Sequence, residues 1–395
     1  MPTGAVHIEL HHRAGRAMEA RVVSARPEAA RALLGKTPEQ VLSSVPLLFT
    51  LCGNAQAYAA LLACRAALGM AAEPEADAAR DLLVQQETLR EHAWRILLDW
   101  PGLVGLEPDK KDVAALLKFD ALFKRHLFQD GEAYRLDSRL DIDAMPFTRL
   151  TAELEALIDA AIFKGRLAGF RMITGETQLL DWLRQNDALP ASLLSDLYSR
   201  NWTAIGQNDI ACLPELEPEA LNRQMRNEDL TAFCRTPRWQ GRCFESTPLA
   251  RQRSHPLIVG LQNRYGNSLM VRFLARLLEA AAIPKQLSRF DKQKVKQEFA
   301  PGIGGIGLAQ VQAARGLLIH RLELRHGRVY DYRIVAPTEW NFHPEGAVAQ
   351  GLKRLEAEDP NALRRQAELL INAVDPCVRY NLKLTDSDSE TKNYA

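Results

Sequence analysis

The stretch Ala314–Asn341 reads ARGLLIHRLELRHGRVYDYRIVAPTEWN and decides the fold class. Within it, Leu317–Leu324 and Val329–Val335 are β-rich runs on either side of Arg325-His326-Gly327-Arg328, which predicts a hairpin. Downstream, Ala347–Leu355 and Pro360–Val374 have helical spacing, and the polar, acidic stretch from Thr385 to Ala395 is expected to fray. Upstream the character is helical for most of the chain. Helices are expected around Lys285–Glu298 and Pro248–Ala281, and at Leu193–Tyr198, Leu180–Gln185, Phe147–Phe163 and Val113–Phe128. Two more have evident stops: Ala76–Trp100 before Pro101, and Ala55–Leu68 before Gly69. Pro, Asn and Trp interrupt Asn201–Gln240, so long connections are expected there. Ala5–Ser24, around Arg13-Ala14-Gly15-Arg16, reads as a second hairpin. The chain is therefore expected to be α+β and predominantly helical, with small β elements near both ends.

Composition excludes more than it selects. A length of 395 residues suggests two or three domain-sized units or one large interwoven fold. Fifty basic against 49 acidic residues leave a net charge of +1, so electrostatics make no case for nucleic acid or an anionic membrane as partner. Met1–His12 contains no long apolar stretch, which points to the cytoplasm. Val41–Cys64 is uncharged and long, but Pro46, Gly53, Asn54 and Gln56 interrupt it, as expected of a segment buried in protein rather than facing lipid. The six cysteines form no CxxC pair, which excludes a zinc ribbon or a thioredoxin-like motif and favours free thiols. Any metal must be held by distant segments.

Single motifs are weak. Gly302, Gly304 and Gly307 have GxGxxG spacing, yet a charged helical stretch and Pro301 precede them where a dinucleotide loop needs a strand. Cys52 lies just before a helix, and a helix N-terminus would lower its pKa from about 8.5. Taken alone, however, Cys52 and Cys377 are the inert buried thiols that free cysteines usually are. His11, His12 and His343 have no ligand spacing and read as surface residues, and Cys234 and Cys243 lack a histidine pair. No Ser-His-Asp signature or phosphate loop is present.

Taken in order, four motifs carry a specific pattern: Leu51-Cys52-Gly53; Ala314-Arg315-Gly316 with His320; Ala336-Pro337-Thr338-Glu339-Trp340-Asn341; and Asp375-Pro376-Cys377. The series resembles that of nickel–iron hydrogenase large subunits over nearly the full length. Leu33-Leu34-Gly35-Lys36-Thr37-Pro38-Glu39 and Pro248-Leu249-Ala250-Arg251 match as well. In that family the first and last motifs each give a cysteine pair to the metal centre, the Arg-Gly element reaches one iron-bound cyanide, and the Pro-Ser/Thr element donates to the other. The resemblance implies a large-subunit-like fold over residues 1–384. That fold would comprise an N-terminal hairpin at 1–25, a mainly helical body at 26–310, and a hairpin with closing helices at 311–384; residues 385–395 would be a flexible tail.

The departures matter equally. The family's second cysteines fall on Ala55 and Tyr380, its histidines on Ala59 and Lys383, and its Arg-x-Glu-Gly-His opening has no counterpart before Glu9. Two thiolates without other ligands cannot reproduce a four-thiolate nickel site, so no nickel is expected. The pattern is similar to degenerate large subunits of the HupK/HoxV type of hydrogenase maturation protein. It implies a non-catalytic scaffold in which Cys52 and Cys377 are the metal ligands. Arg315, Thr338, Pro337 and His320 would surround a transient Fe(CN)2(CO) fragment on its way to the hydrogenase large subunit, with a HypC-type chaperone and its partner as donors. The alternative is a metal-free chaperone or subunit mimic that binds maturation factors. At single residues, Arg315 could pair with a carboxylate such as Glu323, and Thr338 could cap the turn after Pro337. No general base is evident near Cys52.

Overall fold

The computed structural model describes residues 4–108, 110–289 and 299–387. Among them, seven strands fall in two sheets: β1 Ala5–Arg13, β2 Arg16–Ala25, β3 Phe299–Ile303, β4 Ile306–Ala313, β5 Gly316–Arg325, β6 Arg328–Val335 and β7 Arg379–Asp386. The first hairpin turns at Ala14 and Gly15, both at positive φ, as a tight two-residue loop requires. Along β1 the alternation places Val6, Ile8 and Leu10 in the core. β7 lies parallel to β1, from Ala5 opposite Arg379 to His12 opposite Asp386, and gives the order β2-β1-β7. Thr385 and Asp386 are therefore strand rather than frayed tail; residues from 388 onward lie outside the described residues.

The expected second hairpin is present as β5 and β6, within a four-stranded antiparallel sheet ordered β3-β4-β5-β6. Gly302, Gly304 and Gly307 belong to the β3–β4 hairpin, so none of them opens a helix. Gly307 has a packing reason. A Cβ there would lie 1.9 Å from the carbonyl oxygen of Ala63, because β4 runs directly over the alanine-rich helix α2.

The uncharged segment becomes two helices. α1 (Pro38–Leu48) begins in a capping box: Gln40 N–H donates to Thr37 Oγ1 at 3.4 Å and Thr37 N–H to Gln40 Oε1 at 3.0 Å. α2 (Gly53–Ala67) follows an irregular stretch and is almost wholly buried. No helix among the described residues is long and apolar enough to cross a membrane. α3 (Pro74–Trp94) buries Asp77, Arg80, Glu87, Glu91 and His92 and continues into one π-helical turn at Arg95–Asp99. Instead of one helix over 248–281, three form: Pro248–Gln252, Pro256–Tyr265 and Leu269–Ser288. Pro256 at a first helical position and Gly266 at positive φ make the breaks. Residues 285–288 complete the third of these, and 290–298, expected as helix, lie outside the described residues.

Leu269–Ser288 is the central strut, with Trp100 edge-on to Phe273 at 5.0 Å between ring centroids. A second apolar cluster joins α1 and α2 to β4–β6, and a third surrounds Trp340, Phe233, Leu317 and Ile319. Between these clusters converge the start of α2, the start of β5, the one-turn helix Pro337–Asn341 and the residues after the Pro360–Val374 helix.

Candidate functional site

Cys52 occupies the N-cap of α2, but its side chain caps nothing. The free amides at this helix start are taken by Glu87 of α3: Asn54 N–H donates to Oε2 at 2.6 Å and Ala55 N–H to Oε1 at 3.3 Å. The expected lowering of the thiol pKa therefore does not occur. Burial pushes the Cys52 thiol up to about 12, with Glu87 and Cys377 adding to it and Arg315 and Gln56 opposing. Glu87 itself is raised to about 7, chiefly by burial, and supplies the titratable group near Cys52 that the sequence did not reveal.

Cys377 reaches the same site from the other end of the chain. The Pro360–Val374 helix ends at Asp375, held at φ 67, and Pro376 fixes the next step. Pro337 is the first residue of its helical turn, and Thr338 beside it is buried. The Thr338 hydroxyl donates to Cys377 Sγ at 2.9 Å and accepts the Cys377 N–H at 3.3 Å. Thr338 thus ties the turn to the thiol and does not cap it.

Arg315 precedes Gly316, where φ is +131 and a Cβ would lie 1.7 Å from the Ser246 carbonyl oxygen. Only glycine fits. Asn341 locks the junction, donating to the Arg315 carbonyl at 2.9 Å and accepting the Ser246 N–H at 2.7 Å. The guanidinium pairs with Glu91 at 3.2 Å and with Asp375 at 3.1 Å. Glu323, the alternative partner, pairs with Arg325. Nε of Arg315 is buried and makes no aligned hydrogen bond despite its nearness to Asp375. Burial opposes the charge of Arg315, but Asp375, Glu91, Cys377 and Cys52 together raise its pKa. Asp375 is also approached by Arg95 at 2.8 Å and Arg276 at 3.6 Å, and its carboxyl pKa is lowered although burial acts the other way.

His320 is fully buried and, for that reason, lowered to about 3, so it is neutral. Its Nδ1 lies 2.9 Å from the Tyr332 hydroxyl and its Nε2 lies 2.9 Å from Gln56 Oε1. An amide oxygen only accepts, so Nε2 carries the proton and Nδ1 accepts from Tyr332. Gln56 then turns its Nε2 toward Cys52 Sγ, 3.7 Å away. His320 reaches the thiol only through this chain.

Arg26, Gln56, Glu87, Glu91 and Asp375 were not singled out as site residues from the sequence. Gln56 had a legible signal, standing one turn after Cys52 on the same helix face. Asp375 lies inside its motif, whereas Arg26, Glu87 and Glu91 come from distant segments. Arg26 donates to both carboxylate oxygens of Glu339, at 3.0 and 3.1 Å. Its charge is favoured first by Cys377, with Glu339 and Cys52 adding, against burial. At the positions of the family's other ligands, Ala55 and Ala59 are buried, the Tyr380 hydroxyl lies 3.4 Å from Asn372 Nδ2, and Lys383 stands opposite Glu9 in the sheet. His343 is buried with Nδ1 3.3 Å from Cys243 Sγ, and His12 is buried too, so neither is the surface residue expected. All six cysteines are free. Among the described residues no cluster of three or more His, Cys, Asp or Glu could hold a metal.

Residues 199–379 match the family described as nickel-dependent hydrogenase. The chain is 30% identical to hydrogenase expression/formation protein HoxV of Cupriavidus necator, covering 94% of each chain. It is also 30% identical to hydrogenase expression/formation protein HupK of Azotobacter vinelandii, covering 96% of this chain and 98% of that one. Among solved structures, the reduced Ni-Fe-Se hydrogenase of D. vulgaris Hildenborough aligns at TM-score 0.64 and 16% identity, over 93% of this chain and 94% of that one, a likeness of fold alone. With a large-subunit-like fold and relatives at 30% identity over nearly its whole length, the chain belongs to the HoxV/HupK family of hydrogenase expression/formation proteins.

Proposed function

We propose that this protein is a non-catalytic scaffold in hydrogenase maturation that carries an Fe(CN)2(CO) fragment as cargo and passes it to the hydrogenase large subunit. The observation that supports this reading is that Thr338 is bonded to Cys377 Sγ, that Arg315 pairs with Asp375 two residues before Cys377, and that the charge of Arg315 is favoured by both Cys377 and Cys52. Two soft sulfurs suit a low-valent iron, and they leave coordination positions for diatomic ligands. Cyanide nitrogens are strong acceptors in a dry site, which Arg315 and Thr338 can meet with charge-assisted and hydroxyl hydrogen bonds. A carrier must also release its cargo. With alanine at 55 and tyrosine at 380, the two positions that would add bridging sulfurs to Cys52 and Cys377 have none. Donation by a HypC-type chaperone and its partner, and delivery to the large subunit, complete the reading.

Infrared spectroscopy of protein purified anaerobically from a host with active maturation genes tests it. Cyanide and carbonyl bands should appear, vanish in Cys52→Ala and Cys377→Ala, and shift in Arg315→Leu, with the fold retained by circular dichroism. A wild-type protein that co-purifies with maturation factors yet shows no such bands would leave the metal-free chaperone reading in place.

A further inference from the structure

We propose that Arg26 is the receiving gate of the site: a guanidinium parked on Glu339 that separates a surface groove from the two thiols and admits small anions to them. The inference rests on the carrier reading for its cargo, but its geometry is independent of iron.

The groove encloses about 260 Å³ and is lined by Arg26, Leu34, Phe49, Cys234, Tyr332 and Arg333, among others. One helical turn, Pro337–Asn341, touches both the groove and Cys377. Thr338 faces inward, bonded to Cys377 Sγ at 2.9 Å, while its neighbour Glu339 faces the groove and holds Arg26. Four lining arginines, Arg26, Arg31, Arg235 and Arg333, stand against the three carboxylates Glu28, Asp331 and Glu339, and Arg31 and Arg235 share Glu28 at 2.9 and 2.8 Å, so the groove carries one surplus positive charge. Such a lining raises the local concentration of anions.

The two arginines of the site are built for different tasks. Arg315 is clamped by two carboxylates, and its side chain is 4% exposed. Arg26 has one carboxylate partner and a side chain 20% exposed, so it has room to turn. When it does, Glu339 keeps a partner, because the Ala336 N–H donates to its Oε2 at 3.1 Å. Exchange of Glu339 for an incoming anion therefore leaves one of its oxygens hydrogen-bonded, and burial, which already raises the Glu339 pKa, favours its neutral form once Arg26 has left. Arg26 is a positioning and selecting residue on this account, and the groove behind it is the route in and out.

The test uses the full-length reduced protein without iron and compares two thiol reagents, anionic iodoacetate and neutral iodoacetamide, with modification of Cys377 read by peptide mass spectrometry. In both reactions the thiolate displaces iodide, so the ratio of the two rates cancels the thiolate fraction. Wild-type protein should favour iodoacetate, relative to a free thiol, by about fivefold, the order expected of one partly screened charge. Arg26→Met should remove most of the preference, Arg26→Lys should keep most of it, and Glu339→Gln, which frees the guanidinium, should increase it. An unchanged ratio in a folded Arg26→Met protein overturns the proposal. Should that variant not fold, an unchanged or lower ratio in Glu339→Gln does so. Absence of infrared bands with the expected rate ratios would sink the carrier reading and leave the gate standing.

Discussion

Thr338 makes two hydrogen bonds to one residue, and this makes it the most economical point at which to probe the site. Thr338→Val keeps the shape but leaves the Cys377 amide without its acceptor. A loss of about 1–3 kcal/mol in urea unfolding is expected, with Thr338→Ser restoring most of it. Asp375 is more demanding, because three arginines face it. Asp375→Asn should cost about 3 kcal/mol or more, whereas Arg315→Leu should cost less, since Asp375 keeps Arg95 and Arg276. The reverse ordering of denaturation midpoints would make Arg315, and not the aspartate, the pivot of the cluster.

Element by element, close approach and buried charge hold the site in place. β5 can begin where it does only because Gly316 passes the Ser246 carbonyl without a side chain, so Gly316→Ala should lose about 3 kcal/mol or more of stability through clash and backbone strain. α3 is fastened to the Leu269–Ser288 helix through Glu279, which accepts from Arg251 at 2.5 and 2.6 Å and lies 2.7 Å from His92. Although burial opposes it, Arg251 and His92 lower Glu279 to about 2. A carboxyl lowered on folding stabilises above its unfolded pKa and loses that contribution as pH falls toward its folded one. Stability should therefore drop by roughly 3 kcal/mol between about pH 5 and pH 2 from this group, and Glu279→Gln should remove that part of the slope in pH-dependent unfolding.

At the scale of the whole molecule, β7 brings the end of the chain alongside its beginning. Deleting the chain from residue 379 onward, which removes β7, should expose the edge of β1 and lower the unfolding midpoint in thermal denaturation. Because Ala55 and Tyr380 supply no thiol, the purified protein should show no hydrogen uptake or evolution in an activity assay and no stoichiometric nickel by elemental analysis. Nickel-dependent turnover surviving removal of contaminating hydrogenase would contradict it.

By itself the sequence determined the α+β class, the β1–β2 and β5–β6 hairpins, most helices and the motif order that points to the family, because periodicity, turn residues and motif spacing are local signals. It also carried Cys52, Cys377, Arg315, Thr338 and His320 as the residues to watch. Only the tertiary structure decided their states. Cys52 lies at a helix start, yet Glu87, brought over from α3, takes the amides that would have favoured its thiolate. Arg315 found Glu91 and Asp375 instead of Glu323, eight residues on, and Arg26 reached Glu339 from far along the chain. β7 was missed because its partner is the first strand, and parallel pairing across a whole chain leaves no local turn to read. Charge, burial and hydrogen bonding at this site are set by contacts between distant segments, and those exist only once the core has brought the segments together.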